Sequence, residues 1–191
     1  MQHLKNQLNK VKCVSENASK SCDHDIPASS AFQILNLIYE DSQGFEGKKV
    51  VVLNSSTGIL PIGVKLLNPL IVVVLLKGMP NGVLNDNLSQ FNSSTDVVVS
   101  SNFPFHQDSF DLGIIGPVLD KAQATDISAI SLALPACKKL YCVYKSVHQK
   151  VLLEKHRQSE IIGSVHIKMP GYSNYAKQNV GSEEFVIFRI K

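Results

Sequence analysis

Residues 49–58 read Lys-Val-Val-Val-Leu-Asn-Ser-Ser-Thr-Gly, so a continuous apolar run passes directly into small polar residues and a glycine. An apolar run without alternation predicts a strand that is buried on both faces. Apolar residues at helical spacing from Ile59 to Leu67 then predict a helix. A strand, a tight turn and a helix in this order indicate an α/β fold.

The same alternation of strands and helices continues along the chain. Further buried strands are predicted at 71–76, 96–100, 111–115 and 140–144, with helices at 82–91, 126–138 and 148–158. An earlier helix is predicted to begin at Ser29 and Ser30, which are suitable N-cap residues. The last two strands, at 160–168 and 185–190, have no helix between them and are expected to form an antiparallel hairpin. The pattern predicts a seven-stranded, mostly parallel sheet with an antiparallel C-terminal hairpin.

The composition is that of a folded domain with a mild positive charge. Of the 191 residues, 44% are hydrophobic and 18% are charged, and the formal net charge is +3. Such a charge permits contact with RNA but does not require it. Residues 1–28 are predicted to form a short basic helix and a polar loop, and residues 29–191 the main domain.

The sequence favours an intracellular protein, cytoplasmic or nuclear, without membrane association. Its four cysteines form no Cys-x-x-Cys pair, which is typical of free thiols in a reducing compartment. No cysteine and histidine spacing suggests zinc, so no metal is expected. The N-terminus lacks the apolar segment of a signal peptide. The longest apolar run, at 70–76, is far shorter than the ~20 residues that cross a bilayer.

Ligands of open parallel sheets bind beyond the carboxyl ends of the strands, so the residues at these ends carry the functional argument. After the first strand, a nucleotide cofactor requires glycines because the backbone must approach it closely. Asn54 and Ser56 carry side chains at these positions, and only Gly58 remains. After the second strand, Leu76 stands near the place where a carboxylate would bind the ribose hydroxyls.

The fourth strand is followed by Gly116, Pro117, Val118 and Leu119. This segment resembles the Asn-Pro-Pro-Phe or Asn-Pro-Pro-Tyr motif of amino-group methyltransferases acting on adenine or glutamine, but only the first proline matches. In those families the asparagine and a proline carbonyl bind the target amino group, and the aromatic ring stacks on the base. The resemblance implies a degenerate motif, so no catalytic residue is expected.

The resemblance extends over nearly the whole chain, from about Leu4 to Lys191. Lys49-Val-Val, Gly58-Ile-Leu, Ser109-Phe-Asp and Met169-Pro-Gly-Tyr resemble segments of the eukaryotic family that methylates one adenine of small-subunit ribosomal RNA. The resemblance implies a Rossmann-type methyltransferase fold with S-adenosylmethionine (SAM) as the family's cofactor. That family has an acid at the position of Val52, so the departures fall on cofactor-binding positions and no cofactor is expected.

The resembling family works with a small zinc-binding activator subunit that pairs with the edge strand of the sheet, which implies a heterodimer. The edge would be the third strand, Asp96-Val97-Val98-Val99-Ser100, which has no charged residue in its interior. A bare apolar edge promotes aggregation unless something covers it. The sequence therefore predicts a catalytically inactive, methyltransferase-like binding subunit.

Two other functions stay open on the sequence alone. Basic residues in the N-terminal helix and in the C-terminal third favour a protein that binds RNA or the ribosome. A divergent but active SAM-dependent RNA N6-adenine methyltransferase would need a cofactor site without the glycines or the ribose acid. Asn102-Phe-Pro-Phe superficially resembles the catalytic motif, but it follows the third strand, and an apolar loop is the better interpretation.

Overall fold

The computed structural model describes residues 2–10, 26–53, 58–75, 82–91, 97–100, 106–117, 128–146, 158–168 and 182–190. Within these residues the helices are α1 (Gln2–Leu8), α2 (Ala28–Ser42), α3 (Ile59–Lys65), α4 (Gly82–Gln90) and α5 (Ser128–Ala133). The strands are β1 (Lys49–Leu53), β2 (Ile71–Leu75), β3 (Val97–Ser100), β4 (Phe110–Ile115), β5 (Cys137–Lys145), β6 (Ser159–Lys168) and β7 (Ser182–Ile190). A short 3-10 turn, Leu134–Ala136, separates α5 from β5.

The described strands form one sheet in the order β3-β2-β1-β4-β5-β7-β6. The strands β3, β2, β1, β4 and β5 run parallel to one another, whereas β7 runs antiparallel to both β5 and β6. The predicted α/β class, the mostly parallel sheet and the antiparallel C-terminal pair are confirmed. The strand order reverses between β1 and β4, which is where ligands of doubly wound sheets bind.

The two faces of the sheet enter two separate apolar cores. One core joins the sheet to α1, α2, α3 and α4 and includes Val52 and Leu84. The other lies against α5 and includes Leu53 and Ile130. Because successive strand residues point to opposite faces, Val52 and Leu53 anchor β1 between both layers.

The N-terminal helix α1 packs on α2 and α3 as part of the first core. Leu4 and Leu8 lie one turn apart and are both buried. Helix α3 presents Gly63 to this contact, where an added Cβ would lie 2.3 Å from Leu35 Cδ1 and 3.3 Å from Leu8 Cδ2. The absence of a side chain at Gly63 therefore allows the three helices to approach closely.

A polar network joins the end of α2 to the C-terminal hairpin. The Tyr141 hydroxyl donates a 2.8 Å hydrogen bond to Asp41 Oδ2. Arg189 Nη1 donates to Asp41 Oδ1 at 2.5 Å, and Arg189 Nη2 pairs with Glu160. Burial first, and then the hydrogen bond to Asp41, raises the pKa of Tyr141, so the phenol stays protonated as the donor. The network fixes α2 against β5, β6 and β7.

The two edges of the sheet differ. The β6–β7 ladder contains a register shift between Ile161 and Gly163, so Ile162 is an extra residue that bulges. The β2–β3 ladder is regular, with Val72 opposite Val97 and Leu75 opposite Ser100. Among the described strands, β3 pairs only with β2, and β6 only with β7.

The helix predicted at 126–138, with Pro135 expected to mark its final turn or its end, is shorter in the structure, and its bound at Lys138 was wrong. Within the described residues α5 ends at Ala133, and Cys137 and Lys138 already belong to β5. Pro135 has no backbone N–H and so does not continue a helix. Lys138 instead forms a 2.7 Å ion pair with Asp111 of β4, a partner that apolar spacing does not reveal.

The predicted N-cap at Ser29 and Ser30 is also wrong. Helix α2 begins at Ala28 with Pro27 as its N-cap residue, and no side chain caps it. The Ser30 N–H donates to the Pro27 carbonyl at 2.9 Å, so both serines lie inside the first turn. The helix predicted at 148–158 falls outside the described residues, apart from Gln158.

Candidate functional site

The carboxyl ends of the parallel strands form one row across the sheet. Ser100, Leu75, Leu53, Ile115 and Cys142 stand side by side in the β3-β2-β1-β4-β5 register. Burial raises the pKa of the Cys142 thiol, which therefore stays protonated and unreactive. No residue of this row carries a charge, although it lies where a methyltransferase would hold its cofactor.

Val52 stands where the resembling family has an acid, and it is fully buried. It lies opposite Val74 of β2 and Ile114 of β4, and all three enter the core beneath α3. A carboxylate in such surroundings costs several kcal/mol unless it is paired. At this position the chain therefore has a core side chain instead of a ligand-binding one.

Gly58 is the one glycine left in residues 54–58, and two structural demands account for it. Its φ of +80° lies in the left-handed region, where it precedes the first turn of α3. An added Cβ would lie 2.6 Å from Cδ1 of Leu84, a fully buried residue of α4. The backbone turn and the packing of α4 both need this glycine without any ligand.

Gly116 and Pro117, the described half of the degenerate motif, are buried at the end of β4. The Gly116 N–H donates a 2.9 Å hydrogen bond to the Leu53 carbonyl, which prolongs the β1–β4 pairing by one residue. Gly116 has no side-chain amide, so the group that would bind a target amine is missing. At this strand end the described contact is therefore the backbone hydrogen bond of Gly116 to Leu53.

Several predicted site residues lie outside the described part of the chain, namely Asn54, Ser56, Leu76, Val118, Leu119 and Asp96. The third strand is described through its backbone over Val97–Ser100. The structure places Val52 and Gly116 on neighbouring strands at the switch point, and it places Gly58 at the start of α3 against Leu84. It places the backbone of β3 two strands away, at the edge of the described sheet.

Sequence reasoning missed a charged cluster at the opposite, amino-terminal end of the strands. Asp111 accepts a 2.9 Å hydrogen bond from the Lys49 backbone N–H and a 2.7 Å hydrogen bond from Lys138 Nζ. The Lys138 hydrogen bond first, and then that from Lys49, lowers the pKa of Asp111. This carboxylate links three strands and lies away from the ligand end of the sheet. An acid at the start of an otherwise apolar strand was the available signal.

Within the described residues, no three or more His, Cys, Asp or Glu side chains are grouped to hold a metal ion. None of the described helices combines the length and apolar character needed to cross a bilayer.

The fold is similar to several solved structures. A candidate RNA methyltransferase from Pyrococcus horikoshii has a TM-score of 0.74 and 20% identity, covering 98% of this chain and 95% of that one. A protein from Thermoplasma acidophilum has a TM-score of 0.69 and 19% identity, over 100% and 96% of the two chains. An O-methyltransferase from Bacillus cereus in complex with SAH has a TM-score of 0.61 and 12% identity, over 97% and 91%.

The chain has a methyltransferase-like fold. At these identities the similarity establishes the architecture and not the activity. No family model matches the chain, and no curated protein matches it. In the described part of this sheet, the carboxyl ends of the strands carry no charge, and β3 lies at an edge.

Proposed function

We propose that this chain is a catalytically inactive, methyltransferase-like binding subunit that joins a small zinc-binding activator protein through β3. The proposed loss of catalysis is supported by the uncharged row of residues at the carboxyl ends of the strands and by the full burial of Val52 in β1. Cofactor chemistry at this position needs groups that accept hydrogen bonds from an amine and two ribose hydroxyls. The residues at the described strand ends include no carboxylate and no side-chain amide.

The energetic cost of these losses is large. A missing hydrogen-bond partner in a site costs about 1–3 kcal/mol. Losing the strand-one acid and the strand-two acid together removes about 2–6 kcal/mol, roughly one to four orders of magnitude in cofactor affinity. A typical cofactor site would not bind its ligand usefully after such a loss.

The edges of the sheet support a partner at β3. A β-bulge and exposed polar residues are devices that prevent a strand from pairing with another chain. β6 has the bulge at Ile162 and the exposed residues Glu160 and His166. β3 has a regular ladder with β2, and its sequence Val-Val-Val-Ser contains no charge. Of the two edges, β3 is therefore the one suited to receive a strand.

The nature of the partner follows from the resemblance to the ribosomal-RNA adenine-N6 methyltransferase family. Its members pair an edge strand with a zinc-binding activator subunit, and the same edge is open in the described part of this sheet. A chain that kept the partner surface and lost the cofactor site would contribute binding to the heterodimer without methyl transfer.

Titration of the purified full chain with SAM tests the loss of the cofactor site. We expect no heat of binding and no rise in Tm at about 1 mM SAM, because a ligand stabilises only in proportion to ln(1 + [L]/Kd). A micromolar site would stabilise the protein by about 4 kcal/mol under the same conditions. That result would contradict the proposed loss of the cofactor site. It would favour a divergent SAM-dependent methyltransferase with an unconventional site around Gly116 and Pro117.

Two neighbouring substitutions, Val98→Pro and Val99→Pro, test the edge. Successive strand residues direct their N–H groups to opposite sides, so one proline removes a hydrogen bond to β2 and the other removes an outward N–H. We expect the proline that breaks the hydrogen bond to β2 to lower Tm. We expect the proline that removes the outward N–H to leave Tm unchanged and to abolish binding to the activator subunit. Pull-down and thermal unfolding of both variants measure this. Unchanged binding by the stable variant would exclude β3 as the interface.

RNA or ribosome binding is the second candidate function. It is favoured by the structural similarity to a candidate RNA methyltransferase, which covers 98% of this chain. Phosphate contacts by lysine and arginine weaken steeply with salt. Filter binding of ribosomal RNA fragments at about 50 mM and about 200 mM salt measures how RNA affinity depends on salt. This dependence separates RNA binding from protein pairing. Absence of RNA binding at the lower concentration would exclude it.

A further inference from the structure

We draw no further inference here: the strongest candidate, the cluster of Lys48, Lys49, Lys138 and Lys139 at the amino-terminal ends of β1 and β5, lies among Glu46, Asp108 and Asp111, so its charges nearly balance within the described residues and nothing in the structure shows what it would bind.

Discussion

Gly58 meets two requirements at once, a backbone in the left-handed region and a close contact with Leu84. The first could be expected from the sequence, because a glycine between an apolar strand and a helix is typical of a tight turn. The second could not, because Leu84 lies on a helix more than twenty residues away and meets Gly58 only after the chain has folded. A glycine that looks like a remnant of a cofactor loop thus has a structural role of its own.

Replacement of Gly58 by alanine should destabilise the fold more than the matched replacement Gly47→Ala. Both glycines have positive φ, +80° and +69°, but an added Cβ meets nothing within 4 Å at Gly47. The left-handed backbone costs about 1–2 kcal/mol for alanine in each case. Overpacking against Leu84 adds about 1–3 kcal/mol at Gly58 only. Urea unfolding measures both, and equal losses would show that Leu84 moves aside freely.

The sequence alone shows which residues at the strand ends differ from those of the resembling family. It does not show what surrounds these residues in the fold. Val52 could be recognised as the replacement of an acid through the resemblance to the methyltransferase family, which has an acid at this position. Its full burial opposite Val74 and Ile114 depends on strand order, which a single sequence does not contain. Asn54, Ser56, Leu76, Val118 and Leu119 remain predictions, because they lie outside the described residues.

At the scale of elements, Asp111 joins the beginnings of three neighbouring strands. It receives the backbone N–H of Lys49 in β1 and the ammonium of Lys138 in β5. The parallel register places the three residues in one row, so a single carboxylate aligns β1, β4 and β5. Its contribution to stability should depend on pH because its charge is required.

The sign of this dependence follows from the lowered pKa of Asp111 in the folded chain, below its ordinary value of 3.8. The stabilisation is complete above the ordinary pKa and is lost as the pH falls through the lowered one. We expect the difference in unfolding free energy between wild type and Asp111→Asn to be constant above about pH 5 and to shrink in more acidic solution. Urea unfolding at a series of pH values measures it.

Asp108→Asn is the control for this experiment. Asp108 is exposed, and its side chain forms no hydrogen bond within the described residues, while its positive φ of 54° is one that asparagine tolerates. The Asp108→Asn variant keeps both hydrogen bonds to Asp111, so the pH dependence assigned to Asp111 should persist in it. A profile for Asp111→Asn that also coincides with the wild type would contradict the role assigned to Asp111.

The alternation of strands and helices was predictable because buried strands read as apolar runs and helices as apolar spacing. The end of α5 was only partly predictable, because Leu134 continues the apolar spacing that precedes it although the helix ends at Ala133. Pro135 was the local signal for the end, and the Lys138–Asp111 pair was the distant one. Long-range pairing outweighed the local pattern at this point.

For the whole molecule, the proposed interface predicts a specific pattern of amide protection. β3 lies at an edge of the described sheet, so its outward N–H groups should exchange faster than those of β1 and β4 in its centre. On complex formation, exchange in Val97–Ser100 should slow, whereas exchange in Ser159–Lys168 should stay unchanged. Hydrogen–deuterium exchange with mass spectrometry measures both segments. Protection of β6 instead of β3 would show that the partner binds at the β6 edge, which would contradict the proposed interface.

The bulge at Ile162 also bears on the number of subunits in an assembly. A sheet with two receptive edges can be extended at both sides and grow without limit, as in a fibril. Among the described strands, the edge strand β6 contains a bulge and the edge strand β3 does not, so a partner that paired with β3 would leave the bulged edge exposed. Assembly should then stop at a closed one-to-one complex, with β6 acting as a terminator.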